Sequence, residues 1–215
     1  MCSKPTLAYW NVRGIAQHIR LLLAYSGVEF NDKRYEFEHR EAWLSDKANL
    51  GMDFPNLPYY IDGKIKISQS LAILKYLARK HGLSARTDPE LVLQEVAEQQ
   101  VEDMRLRFLF GVVMSDPVAN KEGYCAGVLD PQLDELVKFL GGKQWLTGRL
   151  SYVDFMAYEI LDWFRLFSPE TVAKYSAIGE YLTRFEALPT IKKYQASSQF
   201  IRWPLTGNLA KWGNK

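Results

Sequence analysis

Residues 59–81 read YYIDGKIKISQSLAILKYLARKH. Tyr59–Ile61 and Ile65–Ile67 are short aromatic and β-branched runs that flank Asp62-Gly63. That dipeptide is a strong hairpin signal, because glycine takes the positive φ of a tight turn without steric cost. Ser68 is then placed to cap a helix running to about His81, with Leu71, Leu74, Tyr76 and Leu77 turned inward at helical spacing. Working back toward the N-terminus, Thr6–Trp10 is an apolar and aromatic run stopped by Asn11 and Gly14. Ile15–Tyr25 carries Ile15, Ile19, Leu22 and Leu23 on one helical face, and Gly27 falls where a helix C-cap belongs. Val28–Tyr35 reads as a second strand and Arg40–Lys47 as a short charged helix. The order is βαβαββα. A crossover helix makes the first two strands parallel, and the hairpin makes the last two antiparallel.

Forward of this unit, Gly82–Thr87 is polar and aperiodic. Asp88-Pro89-Glu90 then supplies a cap, a proline at the first helical position and a first-turn acid. Helical periodicity continues to about Gln199, interrupted at Asp116–Glu122, Gly141-Gly142 and Ser168-Pro169, before an irregular tail marked by Trp203-Pro204 and Gly207. Ser151 and Asp154 have capping-box spacing ahead of the apolar stretch Phe155–Phe167, with Asp in place of the usual Glu or Gln. The expected fold is an α/β, thioredoxin-like N-terminal domain (1–82), a linker (83–87) and an all-α C-terminal helical domain (88–215).

Composition narrows the function. The chain has 215 residues, 47% of them hydrophobic, which allows a sizeable core. A net charge of +2, from 27 basic and 25 acidic residues, argues against general nucleic-acid binding, which needs concentrated cations against phosphates. No apolar run approaches the ~18 residues that cross a bilayer. The first residues, Met-Cys-Ser-Lys-Pro, lack the apolar region of a signal peptide. Cys2 and Cys125 form no Cys-x-x-Cys, so a reducing, cytoplasmic location is expected. His18, His39 and His81 are scattered and offer no metal-ligand cluster.

Four segments carry the chemistry: Tyr9-Trp10-Asn11-Val12-Arg13-Gly14, Asp53-Phe54-Pro55-Asn56-Leu57-Pro58-Tyr59, Ser68-Gln69-Ser70 and Ser151-x-x-Asp154. In order and spacing they closely resemble the mu class of cytosolic glutathione transferases. The similarity extends to Leu77–His81 and Trp212–Lys215. The resemblance implies an enzyme that joins glutathione to hydrophobic electrophiles in detoxification. It further implies a homodimer, glutathione as co-substrate, and no other cofactor or metal.

The resemblance makes Tyr9 the catalytic residue. A thiol of pKa near ~8.5 is only a few per cent ionised at neutral pH, and a phenol donating to sulfur favours the anion. Lowering that pKa by about two units takes roughly 2.7 kcal/mol, within reach of a charge-assisted hydrogen bond and a positive local field. In the family the bond before Pro58 is cis, and Leu57 pairs its backbone with the cysteinyl unit as an added strand would. Gln69 and Ser70, at a helix N-terminus, suit the γ-glutamyl carboxylate. Arg40, Trp43 and Lys47, spaced three and four apart, are placed near the glycyl carboxylate; by pattern alone they also read as a solvated helix with one buried Trp. Trp10 and Asn56 complete the tripeptide site. Asp103 matches a position that reaches across a dimer, and Phe54 one that inserts into the partner. By pattern alone these two read equally as an exposed acid and a core side chain.

Two departures from the family stand out. Between Tyr35 and Trp43 the chain is several residues shorter than vertebrate mu enzymes, which is similar to parasitic flatworm forms and implies a more open electrophile pocket. The position of a second, electrophile-assisting tyrosine is Val113. The pocket is therefore expected to be apolar, from Val12, Leu106, Leu109, Val113 and Gly207. A non-catalytic ligandin that binds apolar compounds is the alternative, and peroxide reduction or isomerisation through the same thiolate is a third possibility.

Overall fold

The structure, a computed structural model, describes residues 4–116 and 118–214. Cys2 and Lys215 lie outside them, whereas Cys125 is a buried free thiol. Four strands, β1 (Thr6–Trp10), β2 (Asn31–Tyr35), β3 (Tyr59–Asp62) and β4 (Ile65–Ser68), form one sheet in the order β2-β1-β3-β4. The β1–β2 pair is parallel and the other two are antiparallel, as the crossover and hairpin require. Leu7 and Ala8 of the central β1 are both fully buried, so this strand is covered on its two faces.

Helix α1 (Gln17–Tyr25) crosses from β1 to β2 after a 3₁₀ turn at Gly14–Ala16. It ends in a Schellman motif: Gly27 takes φ +66°, its N–H donates to Ala24, and the Val28 N–H donates to Leu23. This explains why β2 starts at Asn31 and not at Val28, whose amide is committed to the helix end. The hairpin is offset by one residue as well. Asp62 pairs with Ile65, so Gly63-Lys64 is the turn, with Gly63 at φ +60°.

Helices α2 (Arg40–Asn49) and α3 (Ser70–Lys80) complete the α/β layer. Ser68 does not cap α3. It belongs to β4 and donates its hydroxyl to the Phe54 carbonyl, while Gln69 is the N-cap residue. The long helix α4 (Asp88–Phe108) is likewise capped one residue early, by Thr87, whose Oγ1 accepts from the Glu90 N–H; Asp88 and Pro89 are its first two helical residues.

A π-helical turn, Leu109–Val113, continues α4. Then follow α5 (Lys121–Tyr124), a second π turn at Cys125–Leu129, α6 (Asp130–Leu140), α7 (Tyr152–Phe167), α8 (Pro169–Val172), α9 (Ser176–Glu186) and α10 (Pro189–Gln195). Every residue of α7 from Tyr152 to Phe164 is buried, as expected of a helix at the centre of a bundle. Its start is fixed by the Ser151–Asp154 capping box. Asp154 accepts from the Ser151 N–H at 2.8 Å, the Leu146 N–H at 3.0 Å and the Tyr181 hydroxyl at 2.8 Å, tying α7 to the preceding loop and to α9. One apolar core runs from the sheet face under α1 and α3 through α4, α6, α7 and α9. A smaller one, with Tyr35, Trp43, Leu57 and Tyr59, lies under α2.

Candidate active site

The C-terminal end of β1 opens on a cavity of about 700 Å³ walled by α4, its π turn, α7 and residues 206–210. Tyr9, Trp10, Val12, Arg40, Trp43, Leu109, Val113 and Gly207 all line it. The sequence-predicted thiol-stabilising residue, one wall of the expected tripeptide site and four of the five expected pocket residues therefore share one space. Leu106 does not line it. On α4 the cleft-facing positions are 101, 102 and 105; at about 100° per residue they span an arc of about 100°, and Leu106 lies about 40° beyond Glu102, outside it.

Tyr9 is held by its neighbour in the turn. A Cβ built on Gly14 would sit 2.5 Å from Tyr9 Cε1 and 2.8 Å from its hydroxyl oxygen, so the phenol lies directly on the Gly14 backbone. Gly14 also takes φ +45°, a second reason for glycine here. Burial pushes the Tyr9 phenol above its ordinary value, while the Ile15 N–H and the charges of Arg20 and Arg105 act in the opposite sense. The net result is a phenol that keeps its proton at neutral pH, a donor and not an anion.

Beside Tyr9, Trp10 stacks on Phe37 with centroids 4.7 Å apart. Trp43 is both core and cleft wall: it stacks on Tyr59 and meets Tyr35 edge-on. Lys47, one turn further along α2, places its Nζ 5.9 Å from the Trp43 ring but does not line the cavity. The Leu57–Pro58 bond is cis. The Leu57 N–H expected to face a ligand donates instead to Asn56 Oδ1 at 2.9 Å. The last paired row across the sheet is Ala8–Tyr59–Ser68, so Tyr9, Pro58 and Gln69 each adjoin that row at the same end of the sheet. Gln69 has φ +72°, and no other non-glycine among the described residues has a positive φ. Such strain is held where surrounding structure requires it, here at the junction that aims the free first-turn amides of α3, beginning at Ser70, past the sheet end. Asp103 lies outside the cavity, on the exposed side of α4 that also carries Val92 and Val96.

The lining is mostly apolar, with His18, Glu102, Arg105 and Glu159 as polar members that the sequence reading did not name. Arg105 Nε donates to Glu102 Oε2 at 2.9 Å. His18 is buried with Nε2 unpartnered, and burial together with Arg105 and Arg20 pushes its pKa down to about 3 against the pull of Glu102. Behind the wall residue Glu159, buried Arg13 makes a two-pronged pair to it, both bonds 2.8 Å, and a 2.7 Å contact to Asp162. Trp163 Nε1 adds a bond to Glu159, also at 2.8 Å. Burial raises the Glu159 carboxyl, Arg13 and Trp163 oppose that, and the two carboxylates raise Arg13. Periodicity on α4 from Val101 could have found Glu102 and Arg105; no local signal marks His18 or Glu159. Tyr9 is the one tyrosine lining the cavity among the described residues, and Val113 is part of its wall.

The C-terminal tail seals one side. Arg13 and Gly14 donate backbone N–H bonds to Pro204 and Leu205, and Lys211 donates to the Val113 carbonyl. A Cβ on Gly207 would meet the Phe37 ring at 2.8 Å, so the tail and the short segment before α2 touch across the cavity mouth.

Residues 5–79 match the family model described as glutathione S-transferase, N-terminal domain, and residues 102–198 the model for the C-terminal domain. The chain is 41% identical over 217 residues to glutathione S-transferase Mu 1 of Mus musculus, covering 97% of this chain and 98% of that one. It is 39% identical over 216 residues to glutathione S-transferase B of Cavia porcellus, covering 98% and 99%. The solved structure of the glutathione S-transferase Blo t 8 superposes with a TM-score of 0.88 at 40% identity, covering 97% of this chain and all of that one.

Proposed function

The chain belongs to the glutathione S-transferase family, mu class, and is a glutathione transferase; from that premise we propose that Tyr9 stabilises the glutathione thiolate in the cleft. The protonated, desolvated Tyr9 hydroxyl resting on Gly14 carries this reading. Its O–H donates to the sulfur and keeps its proton. The thiol proton leaves to solvent, the sulfur lone pair forms a bond to the electrophilic carbon, and the leaving group departs with its electron pair. A hydrogen bond to a charged acceptor in a site of low dielectric is worth more than one in water.

In this reading the α3 N-terminus with Gln69 and Ser70 takes the γ-glutamyl carboxylate. Leu57, released from Asn56, pairs with the cysteinyl unit beside Pro58. Arg40, Lys47, Trp10 and Trp43 surround the glycyl end. The electrophile lies among Val12, Leu109, Val113 and Gly207. Glutathione is a co-substrate, and a cytoplasmic location suits an enzyme of this class in which, among the described residues, no helix is long and apolar enough to cross a membrane.

The test is conjugation of glutathione to 1-chloro-2,4-dinitrobenzene by wild type and Tyr9→Phe across pH. The expected result is a variant whose rate profile moves up toward the free-thiol pKa. Equal activity at neutral pH would assign the thiolate to another donor.

A homodimer is the second part of the proposal, and a specific observation favours it. Phe54 is 77% exposed, and a cavity of about 210 Å³ between α4 and α6, with Val96, Leu136 and Phe139 in its wall, is apolar enough to take such a ring. Asp103, on the same side of α4 as Val92 and Val96, would then reach the neighbouring cleft. Sedimentation velocity of Phe54→Ala should show a shift toward monomer; an unchanged dimer would remove Phe54 from the interface.

A further inference from the structure

Helix α2 carries Arg40, Trp43 and Lys47, yet little attaches it to the rest of the chain. Within Arg40–Asn49 only Trp43 is buried and only Asp46 is partly buried; the other residues stand in solvent. Trp43 and Asp46 are three residues apart and so share one helix face. Among the described residues, Asp46 is the only side chain of α2 that hydrogen-bonds to the sheet.

The Asp46 carboxylate meets the ends of two strands. Its Oδ2 accepts from the Tyr35 hydroxyl at 2.6 Å and from Lys33 Nζ at 2.5 Å, both residues of β2. The Tyr35 and Tyr59 hydroxyl oxygens lie 3.1 Å apart. Because the Tyr35 proton goes to the carboxylate, Tyr59 donates in that second bond. Burial, and then the Asp46 carboxylate, push the Tyr35 phenol well above its ordinary value, so it stays a donor. Tyr35 ends β2 opposite Trp10, and Tyr59 begins β3 directly after Pro58. The three groups therefore join α2 to the sheet end that carries Tyr9, Trp10 and Leu57.

The two bonds to Asp46 differ in weight. Lys33 and Asp46 are 44% and 37% exposed, and solvent screens such a pair. The Tyr35 bond has a buried donor and a charged acceptor, which makes it the stronger tie. Packing of Trp43 on Tyr35 and Tyr59 fixes one point of α2 but leaves the helix free to pivot about that ring. A second fixed point, one turn further on at Asp46, removes the pivot. Arg40 and Lys47 lie on either side of Trp43, so a pivot would swing both cations.

We propose that Asp46, acting with Tyr35, is a positioning residue: it fixes the angle of α2 and so the part of the cleft that reads the glycyl unit of glutathione. The inference rests on the glycyl end lying against Arg40, Trp43 and Lys47. Asp46 itself touches no substrate. Tyr9 is placed by the Gly14 backbone and not by α2, so the thiolate chemistry does not depend on this tie.

The experiment is initial-rate kinetics of the full chain with 1-chloro-2,4-dinitrobenzene and either glutathione or γ-glutamylcysteine, which lacks the glycine. Wild type should show a KM for γ-glutamylcysteine about tenfold or more above that for glutathione, since the charged glycyl contacts are lost. Asp46→Ala and Tyr35→Phe should each raise the glutathione KM about fivefold or more, because the helix must be ordered on binding. The KM for γ-glutamylcysteine, kcat and the midpoint of the pH–rate profile should all stay at their wild-type values. General loosening of the fold would instead weaken both thiols alike. Wild-type preference for glutathione in Asp46→Ala would overturn the proposal, and so would an equal rise in KM for the two thiols. Absence of any preference in wild type would refute the placement of the glycyl end, and this inference with it.

Discussion

Replacing Gly14 by alanine tests whether Tyr9 acts through its position. The added Cβ would lie 2.5 Å from Tyr9 Cε1, 2.8 Å from the hydroxyl oxygen and 3.0 Å from Cζ. Ordinary carbon contacts begin near ~3.5 Å, so the ring must retreat by about 1 Å or the turn must open. The backbone at φ +45° resists the second route and adds about 1–2 kcal/mol of strain for a residue with a side chain. A displacement of about 1 Å takes a hydroxyl donor out of bonding range of a fixed sulfur. Losing a hydrogen bond to a charged group costs about 1.5–3 kcal/mol. That corresponds to roughly a 10- to 150-fold fall in kcat/KM below the thiol pKa, at about 1.36 kcal/mol per tenfold. The fall should shrink above about pH 9, where glutathione ionises unaided. The assay is the pH–rate profile of chlorodinitrobenzene conjugation for wild type, Gly14→Ala and Tyr9→Phe, with circular dichroism confirming the fold of each. Wild-type kcat/KM for a folded Gly14→Ala across pH 6–9 would refute the argument that the glycine contact sets the phenol's position.

Two further outcomes concern stability. His18 has a pKa of about 3 in the folded protein against 6.5 unfolded, so the unfolded chain takes up the proton first. The fold is unaffected above about pH 7 and loses stability as pH falls below 6.5, by about 2 kcal/mol between pH 7.5 and 5. Urea unfolding at those two pH values and one protein concentration should show that loss in wild type and not in His18→Gln; equal losses in both would exclude His18 as the source. Asp154→Ala removes the acceptor for two backbone N–H groups and the Tyr181 hydroxyl, all buried. At about 1–3 kcal/mol per orphaned donor, partly offset by relaxation, the expected cost is roughly 3–5 kcal/mol in the same unfolding assay. A loss below about 1 kcal/mol would mean that water or another acceptor replaces the carboxylate.

Local chemistry determined a large part of this protein. The order and direction of the strands follow from a hairpin glycine and a crossover helix, and Gly27 and Asp154 mark helix ends because caps are satisfied within a few residues. Where the reading slipped, it slipped by short steps at ends, as at Ser68, Asp88 and Val28, because neighbouring residues offer similar capping groups and only distant partners choose between them. Ser68 was taken by the Phe54 carbonyl, 14 residues away. Tyr9, Trp10, Arg40 and Trp43 were legible through the family resemblance of their segments; by pattern alone Arg40 and Trp43 read equally as a solvated helix with one buried Trp. His18, Glu102, Arg105 and Glu159 entered the cleft only when α1, α4 and α7 packed, and the same packing turned Leu106 out. Hydrophobic periodicity states which face of a helix is buried, not which other helix it meets. The contents of the cleft and the exposure of Phe54 are products of that long-range choice, made by the core as a whole and not by any one segment.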